Sequence, residues 1–203
     1  MQEVLSKIGY GLYVLTAKEG DKDNGCIINA VSQITSGNPT MVSIAVNKLN
    51  YTHDMILRTS EFNVSMLTEA TPFYVFEHFG FQSGKTVNKF ENCSTELRTQ
   101  NGILYLPKFI NGVFSGKVRQ TIDLSTHTLF VAEVVETLAI SDDPSLSYAY
   151  YQKNIKPQPQ PQTEKKGGWR CKICGYVYEG EELPADFVCP WCKHGPEDFE
   201  PIV

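Results

Sequence analysis

The sequence has no long apolar run, no excess of basic residues and no sign of a secretory leader. No stretch approaches the roughly 18 consecutive apolar residues that a membrane-spanning helix requires. The formal net charge of -5 at pH 7 does not favour nucleic-acid binding, because proteins that contact a phosphate backbone carry a basic patch. Residues 1–16, MQEVLSKIGYGLYVLT, lack the basic region, apolar run and small-residue cleavage site of a signal peptide. We therefore expect a cytoplasmic protein that binds neither membranes nor nucleic acid.

Two common nucleotide-binding motifs are missing as well. No G-x-G-x-x-G segment occurs, which argues against a Rossmann dinucleotide site. The segment FGFQSGKT approaches a phosphate-binding P-loop, but Phe79 stands where that motif needs its first glycine. Neither type of nucleotide-binding domain is predicted.

Cysteine is scarce over most of the chain and concentrated near its C-terminal end. Cys26 and Cys93 are isolated in sequence, as small buried hydrophobic residues often are. Two Cys-x-x-Cys pairs contain the other four cysteines, which are Cys171, Cys174, Cys189 and Cys192. In a reducing compartment such clustering indicates a metal site rather than disulfides. Two facing Cys-x-x-Cys turns give four sulfurs in tetrahedral array, which suits zinc or a single iron, and the spacing alone does not choose between them.

A proline-rich segment divides the chain. Residues 154–167, NIKPQPQPQTEKKG, alternate proline with glutamine and then turn charged, a composition that holds an extended spacer of about 3.1 Å per residue. We predict a domain over residues 1–153, a linker over 154–167 and a small module over 168–203. A module this short rarely folds on an apolar core alone, so a bound metal would stabilise it.

The C-terminal module resembles rubredoxin. Its first half reads Cys-x-x-Cys-Gly-Tyr-x-Tyr and its second half Cys-Pro-x-Cys. The aromatic residues expected in its core are Trp169, Tyr176, Phe187, Trp191 and Phe199. The resemblance implies an iron bound by the four cysteines, with structural zinc as the alternative. The segment between the two pairs is shorter than in a full-length rubredoxin, which is typical of rubredoxin-like modules fused to other redox domains.

The N-terminal domain is predicted to be mainly β. Short β-branched or aromatic runs, separated by turn clusters, predict strands at 10–17, 26–35, 41–47, 61–67, 113–124 and 128–140. Apolar residues at helical spacing predict helices at 50–60 and 70–80. This spacing of strands indicates an antiparallel barrel or sandwich.

Three segments of this domain resemble the FMN-binding split barrel of the flavin reductase-like family. The first is NAVSQITSGNPTMVSIAVNKLNYTHDMI, residues 29–56; the others are residues 83–93, around Lys89 and Phe90, and residues 113–137. The resemblance implies a mainly β fold, an FMN-binding split barrel with a few helices, followed by a small rubredoxin-like iron-binding module. It also implies FMN as cofactor and a homodimer formed through the flavin domain.

The same resemblance implies which residues hold the flavin. Those expected along the ring and the ribityl chain are Asn29, Ser32, Gln33 and Thr35. Those expected at the phosphate are Asn47, Lys48, Tyr51 and Thr52, where a lysine and the positive end of a helix favour an anion. His127 stands where the family often has a histidine near the flavin or the nicotinamide. It is the candidate catalytic residue, with an ordinary turn or surface role as the alternative.

Together the two resemblances predict an electron relay similar to that of the high-molecular-weight rubredoxins. NAD(P)H would reduce FMN, FMN would reduce the iron, and the iron would reduce an acceptor such as a flavodiiron protein that reduces oxygen or nitric oxide. One alternative is a flavin or ferric reductase with the four-cysteine module as an appendage. The other is a non-enzymatic flavin carrier or interaction protein with a structural zinc ribbon.

Overall fold

The computed structural model describes residues 2–5, 7–91, 97–157, 168–172, 175–190 and 194–202. Its N-terminal part is built on a seven-stranded sheet in which every neighbouring pair is antiparallel. The strands are β1 Tyr13–Glu19, β2 Lys22–Ile28, β3 Val31–Gln33, β4 Met41–Asn47, β5 Glu61–Leu67, β6 Ile110–Asp123 and β7 His127–Ala139. Their order in the sheet is β2-β1-β5-β6-β7-β4-β3. The mainly β prediction is confirmed.

Helices are few and short. Those in the described residues are α1 Gln2–Leu5, α2 Tyr51–Thr59, α3 Phe73–Gly80 and α4 Tyr148–Tyr150, which continues as a π-helical turn over Tyr151–Ile155. A 3₁₀-helical turn lies at Pro196–Asp198 in the C-terminal part. The two predicted helices correspond to α2 and α3. Within the described ranges, none of these helices has the length and apolarity needed to cross a membrane.

Two predicted boundaries in the first three strands are wrong. The segment between the predicted strands 10–17 and 26–35 predicts a long turn, yet β1 and β2 pair as far as Glu19 and Lys22 and leave a two-residue turn. Gly20 permits this turn because its φ of +57° costs glycine little. The single strand expected at 26–35 is two strands, because β2 pairs with β1 at one end of the sheet order whereas β3 pairs with β4 at the other.

The apolar interior forms two clusters. One lies among the strands and α2, and its fully buried members include Phe62, Phe130 and Met55. The other lies beneath α3 and the C-terminal end of the domain, where the ring of Tyr151 lies 4.4 Å from that of Phe76. The polar linker prediction covers residues 154–167. Ile155 still packs on the second cluster, and residues 158–167 lie outside the described residues.

A buried lysine fastens the loop that follows α3. Lys89 is 4% exposed, and its ammonium group donates hydrogen bonds of 2.9 Å to the carbonyl oxygens of Gly25 and Phe79. One acceptor belongs to β2 and the other to the last turn of α3, so a single cation joins three segments. Burial of a charge is tolerated only when hydrogen bonds replace its hydration.

The C-terminal part is a separate three-stranded sheet. Its strands are β8 Trp169–Cys171, β9 Val177–Tyr178 and β10 Phe199–Pro201, in the order β10-β8-β9. The predicted aromatic core is confirmed for four residues, since Trp169, Tyr176, Phe187 and Phe199 pack in one cluster with two cysteines. The fifth, Trp191, lies outside the described residues.

Replacement of Lys89 by methionine tests its role as a fastener. We expect Lys89→Met to lower the free energy of unfolding of the N-terminal domain by about 1–3 kcal/mol, because two carbonyl groups lose their donor in a buried site. Urea unfolding followed by far-UV circular dichroism is the measurement, since both tryptophans, Trp169 and Trp191, lie in the C-terminal module. Lys85→Met, at an exposed position in the same loop, is the matched control. Equal stability of the two variants would contradict the assigned role.

Candidate cofactor sites

Two of the four predicted metal ligands lie in the described part of the module, and they are buried together. Cys171 ends β8 and is 1% exposed, whereas Cys189 precedes the second turn and is 0% exposed. Both belong to the same small cluster of packed side chains. Cys174 and Cys192 lie outside the described residues. Thiolates that are withdrawn from water and brought to one place are suited to a soft metal centre.

Main-chain hydrogen bonds hold the described residues beside the first cysteine pair. The N–H of Gly175 donates to the carbonyl oxygen of Cys171 at 2.9 Å, and the N–H of Cys171 donates to Tyr176 at 2.8 Å. Gly175 has a φ of +81°, a conformation that side chains other than glycine's adopt at a cost. In the second half the N–H of Cys189 donates to the carbonyl of His194. Gly175 and these main-chain bonds therefore fix the backbone beside Cys171 and Cys189.

Aromatic rings cover the cysteines. The ring of Phe187 lies 4.8 Å from Tyr178 and 5.3 Å from Phe199, and Phe199 pairs with Cys171 across β8 and β10. The indole of Trp169 donates to the carbonyl of Glu181, which fixes the ring at the edge of the module. An apolar cover of this type limits water and controls the reduction potential of a metal–thiolate centre.

The predicted phosphate residues meet at the corner between β4 and α2. Antiparallel pairing of β4 with β7 places Asn47 opposite His127, and the N–H of Lys48 donates to the carbonyl of Thr126 at 3.0 Å. The ammonium group of Lys48 forms an ion pair with Asp123, at the end of β6. Three elements therefore converge on this corner, which brings the proposed catalytic residue and four of the proposed flavin residues together.

The first turn of α2 supplies main-chain donors at this corner. Among the described residues, Asn50 is the N-cap, and its side chain makes no cap hydrogen bond. The first N–H groups of a helix lack an intrahelical acceptor, so those of Tyr51 and Thr52 are available to an anion. The hydroxyl of Thr52 points elsewhere, because Thr52 is fully buried and accepts a 3.0 Å hydrogen bond from the amide of Asn24.

His127 is half-buried beside the turn between β6 and β7. Its Nδ1 lies 2.8 Å from the hydroxyl oxygen of Thr126. Burial lowers the pKa of His127 below the usual histidine range, since the imidazolium is the form that loses hydration. The ring is therefore mainly neutral at pH 7 and can act as a hydrogen-bonding group without adding charge.

The predicted ring-contacting residues follow β3, beside the same strand β4. Ser32 pairs with Ser43, whereas Gln33 pairs with Val42 and points to the opposite face. Gln33 and Thr35 both stabilise their own loop. The side-chain amide of Gln33 donates to the carbonyl oxygen of Thr35, and the hydroxyl of Thr35 donates to the carbonyl oxygen of Pro39. Asn29 is half-buried in the connection before β3. The structure thus brings Ser32 and the corner residues to one side of the sheet, but not Gln33.

Sequence reasoning missed the outer face of β4 and β7. Alternation along β4 buries Val42, Ile44 and Val46, which leaves the remaining positions on the opposite face. Pairing places these outward-facing positions of β4, which are 41, 43, 45 and 47, beside half-buried residues of β7. The small or apolar members of this outer face are Ser43, Ala45, Leu129 and Val131. Ser43 is four residues from Asn47, about 13 Å along a strand, so the face suits an elongated, partly apolar ligand.

Two charged residues were also missed. The ammonium group of Lys22 lies 4.4 Å from the centre of the Tyr51 ring, and Asp123 pairs with Lys48. Both lie at turns or strand ends, where nothing in the local sequence marks them. Only the register of the strands places them beside α2 and the β4 corner.

Comparison with known proteins identifies both parts of the chain. A model of the flavin reductase like domain matches residues 5–158, and a model of the rubrerythrin, rubredoxin-like domain matches residues 169–200. The chain belongs to the flavin reductase-like family. It is a homologue of the high molecular weight rubredoxin of Moorella thermoacetica, with 32% identity over 98% of this chain and 99% of the relative. The ferric-chelate reductase (NAD(P)H) of Archaeoglobus fulgidus is 35% identical over 73% of this chain and 87% of the relative.

Solved structures agree on the fold of the flavin reductase-like domain. The NADH:FAD oxidoreductase of Streptomyces globisporus superposes with a TM-score of 0.62 at 18% identity, covering 80% of this chain and 93% of that protein. The flavin reductase of the styrene monooxygenase of Pseudomonas putida superposes with a TM-score of 0.59 at 21% identity, covering 73% and 91%. The split-barrel prediction is confirmed. A flavin reductase-like domain joined to a rubredoxin-like domain supports flavin and iron as the cofactors of this chain.

The metal assignment predicts that replacement of a single cysteine lowers the iron content of the protein. We expect Cys171→Ser and Cys189→Ser each to lower the iron bound per chain, because each replaces one of four thiolates with a hydroxyl, which stays protonated at neutral pH and binds the metal more weakly. Inductively coupled plasma mass spectrometry of the purified full chain measures the iron. Cys26→Ala is the control: Cys26 is buried in the other domain and burial raises the pKa of its thiol. Full iron content in Cys189→Ser would contradict the assignment.

Proposed function

We propose that this flavin reductase-like protein passes electrons from NAD(P)H through FMN to an iron held by Cys171, Cys174, Cys189 and Cys192, and from there to an acceptor protein such as a flavodiiron oxygen or nitric oxide reductase. FMN supplies the conversion of a two-electron hydride donor into single electrons, and a four-thiolate iron carries one electron at a time. The homodimer expected from the family belongs to this proposal.

The observation that carries the proposal is the similarity over both domains at once. The relative named a high molecular weight rubredoxin is matched along 98% of this chain, so the two domains occur together rather than as a chance fusion. A second relative, named a ferric-chelate reductase, is matched over 73% of the chain. The rubredoxin-like domain, whose iron would carry one electron at a time, therefore follows a reductase-like domain in the same chain.

The β4 corner is suited to the FMN phosphate. Lys48 offers a charge-assisted donor, and Tyr51 and Thr52 offer main-chain N–H groups at the positive end of α2. Thr52 contributes through its backbone, because its hydroxyl is bound to Asn24 in the interior. That interior bond fixes the first turn of α2 against β2, so the donors are held in place before a ligand arrives.

The outer face of β4 and β7 is suited to the flavin ring. Ser43 and Ala45 are small enough to let a flat ring approach the strand, and Leu129 and Val131 add apolar surface beside them. His127, opposite Asn47 at one end of this face, is neutral at pH 7 and can hydrogen-bond a ligand without attracting or repelling its charge. No side chain needs to act as a nucleophile, since hydride transfer needs orientation and exclusion of water.

The iron end depends on a buried thiolate pair and a tethered domain. Cys171 and Cys189 lie beneath Phe187 and Phe199, which keeps water from the sulfurs while the module remains small enough for an electron to leave through its surface. The Pro/Gln-rich segment 154–167 keeps the module at high effective concentration near the flavin domain.

Kinetics of a cysteine variant test this function directly. We expect full-length Cys189→Ser to keep the rate at which NADH bleaches its bound flavin under anaerobic conditions. Reduction of cytochrome c, a one-electron acceptor protein, should fall severalfold, because its electrons then have to come from the flavin directly. Stopped-flow absorption measures both rates. Cys26→Ala, which leaves the four ligands in place, serves as the control. Equal rates of cytochrome c reduction in Cys189→Ser and the unmodified protein would favour a reductase whose module is an appendage.

A further inference from the structure

The lysine at the β4 corner already has an anionic partner. Lys48 has a side chain that is 35% exposed, and its ammonium group forms an ion pair with the carboxylate of Asp123, which is 81% exposed. The ion pair joins the residue that follows β4 to the last residue of β6. A ligand phosphate that used Lys48 would therefore meet a negative charge.

The fold holds Asp123 in this position. Asp123 is the last residue of β6 and pairs with Thr128 of β7, and the turn between the two strands is closed by a 2.9 Å bond from the N–H of Leu124 to the carbonyl of His127. The same turn is joined to β4 through the bond from Lys48 N–H to Thr126. The hairpin end is thus anchored on both sides, which keeps the backbone of Asp123 within reach of Lys48.

We propose that Asp123 is a specificity-determining residue that competes with the flavin phosphate for Lys48 and so weakens the retention of FMN relative to that of riboflavin. This inference rests on the proposed function, in which Lys48 meets the phosphate. Asp123 reduces the positive field that Lys48 and the α2 N-terminus present, and it repels the incoming dianion. Riboflavin has no phosphate, so its binding is unaffected.

The consequence is that bound FMN exchanges with free FMN. A domain that bound the phosphate with an unopposed lysine would release FMN slowly, because affinity among related complexes is set mainly by dissociation. Asp123 gives Lys48 an alternative partner each time the phosphate leaves. The occupancy of the site then depends on the supply of free FMN and on salt.

The matched variants are Asp123→Asn, Lys48→Met, their double variant, and Asp142→Asn as the control. Asp142 is an exposed carboxylate beyond the other end of β7, so its removal changes the net charge equally without touching the corner. The full-length protein, freed of flavin, is titrated with FMN and separately with riboflavin, and quenching of flavin fluorescence gives each Kd. The titrations are repeated at low and high salt.

We expect Asp123→Asn to lower the Kd of FMN about three- to tenfold at low salt, a modest effect because exposed charges are screened. The Kd of riboflavin should not change, the gain should shrink at high salt, and it should vanish when Lys48→Met is also present. Asp142→Asn should alter neither Kd.

Two outcomes separate failure of this inference from failure of the proposed phosphate site. If Lys48→Met weakens FMN but not riboflavin while Asp123→Asn changes nothing, or changes both ligands equally, the role of Asp123 is wrong and the phosphate site stands. If Lys48→Met leaves the Kd of FMN unchanged, the phosphate lies elsewhere and both assignments fall.

Discussion

The antiparallel pairing of β4 with β7 is the constraint on which the candidate flavin site depends. It runs from Met41 opposite Glu133 to Asn47 opposite His127, and a shift by one residue would turn every side chain to the other face. In the observed register the small and half-buried residues share the outer face, whereas Val42, Ile44 and Val46 fill the interior. The same register delivers the β6–β7 turn to the start of α2, where Lys48, Asp123 and the first helical amides meet.

Much of this fold could be predicted because its signals are local. The strand runs at 41–47 and 61–67 coincide with β4 and β5, and α2 lies within the predicted helix. The first hairpin was harder, because polar residues such as Lys22 and Asp23 look like turn residues yet pair with β1. Their pairing depends on a two-residue turn at Gly20, and the break between β2 and β3 depends on which neighbouring strand each piece meets. Local residue propensities predict neither the turn nor the break.

The candidate site divides in the same way. The cysteine pairs carry their chemistry in their spacing, and the aromatic rings around them are recognisable from the sequence. The flavin residues came from resemblance, and the structure distinguishes among them: Lys48 and Tyr51 lie at the corner, whereas Gln33 and Thr35 are bonded within their own loop. Strand register alone brings four further residues to the candidate site, and no pattern along the chain marks them: Lys22, Ser43, Asp123 and Leu129.

The two domains differ in how they would hold their cofactors. In the proposed function, the outer face of β4 and β7 takes the flavin ring, and Asp123 weakens the hold of Lys48 on the flavin phosphate. The rubredoxin-like module buries Cys171 and Cys189 beneath aromatic rings, and its apolar core is small. A bound metal stabilises such a small module, and in the proposed function the same metal carries the electron. Structural and functional demands on Cys171 and Cys189 therefore coincide.

The measurement that tests the central claim most directly is the anaerobic visible absorption spectrum of the purified full-length protein, recorded before and after an excess of NADH is added. The account predicts flavin bands together with ferric–thiolate bands, both of which bleach when NADH is added. Flavin bands that bleach while the ferric–thiolate bands persist, or that stand over a colourless module, would contradict electron transfer from the flavin to the iron.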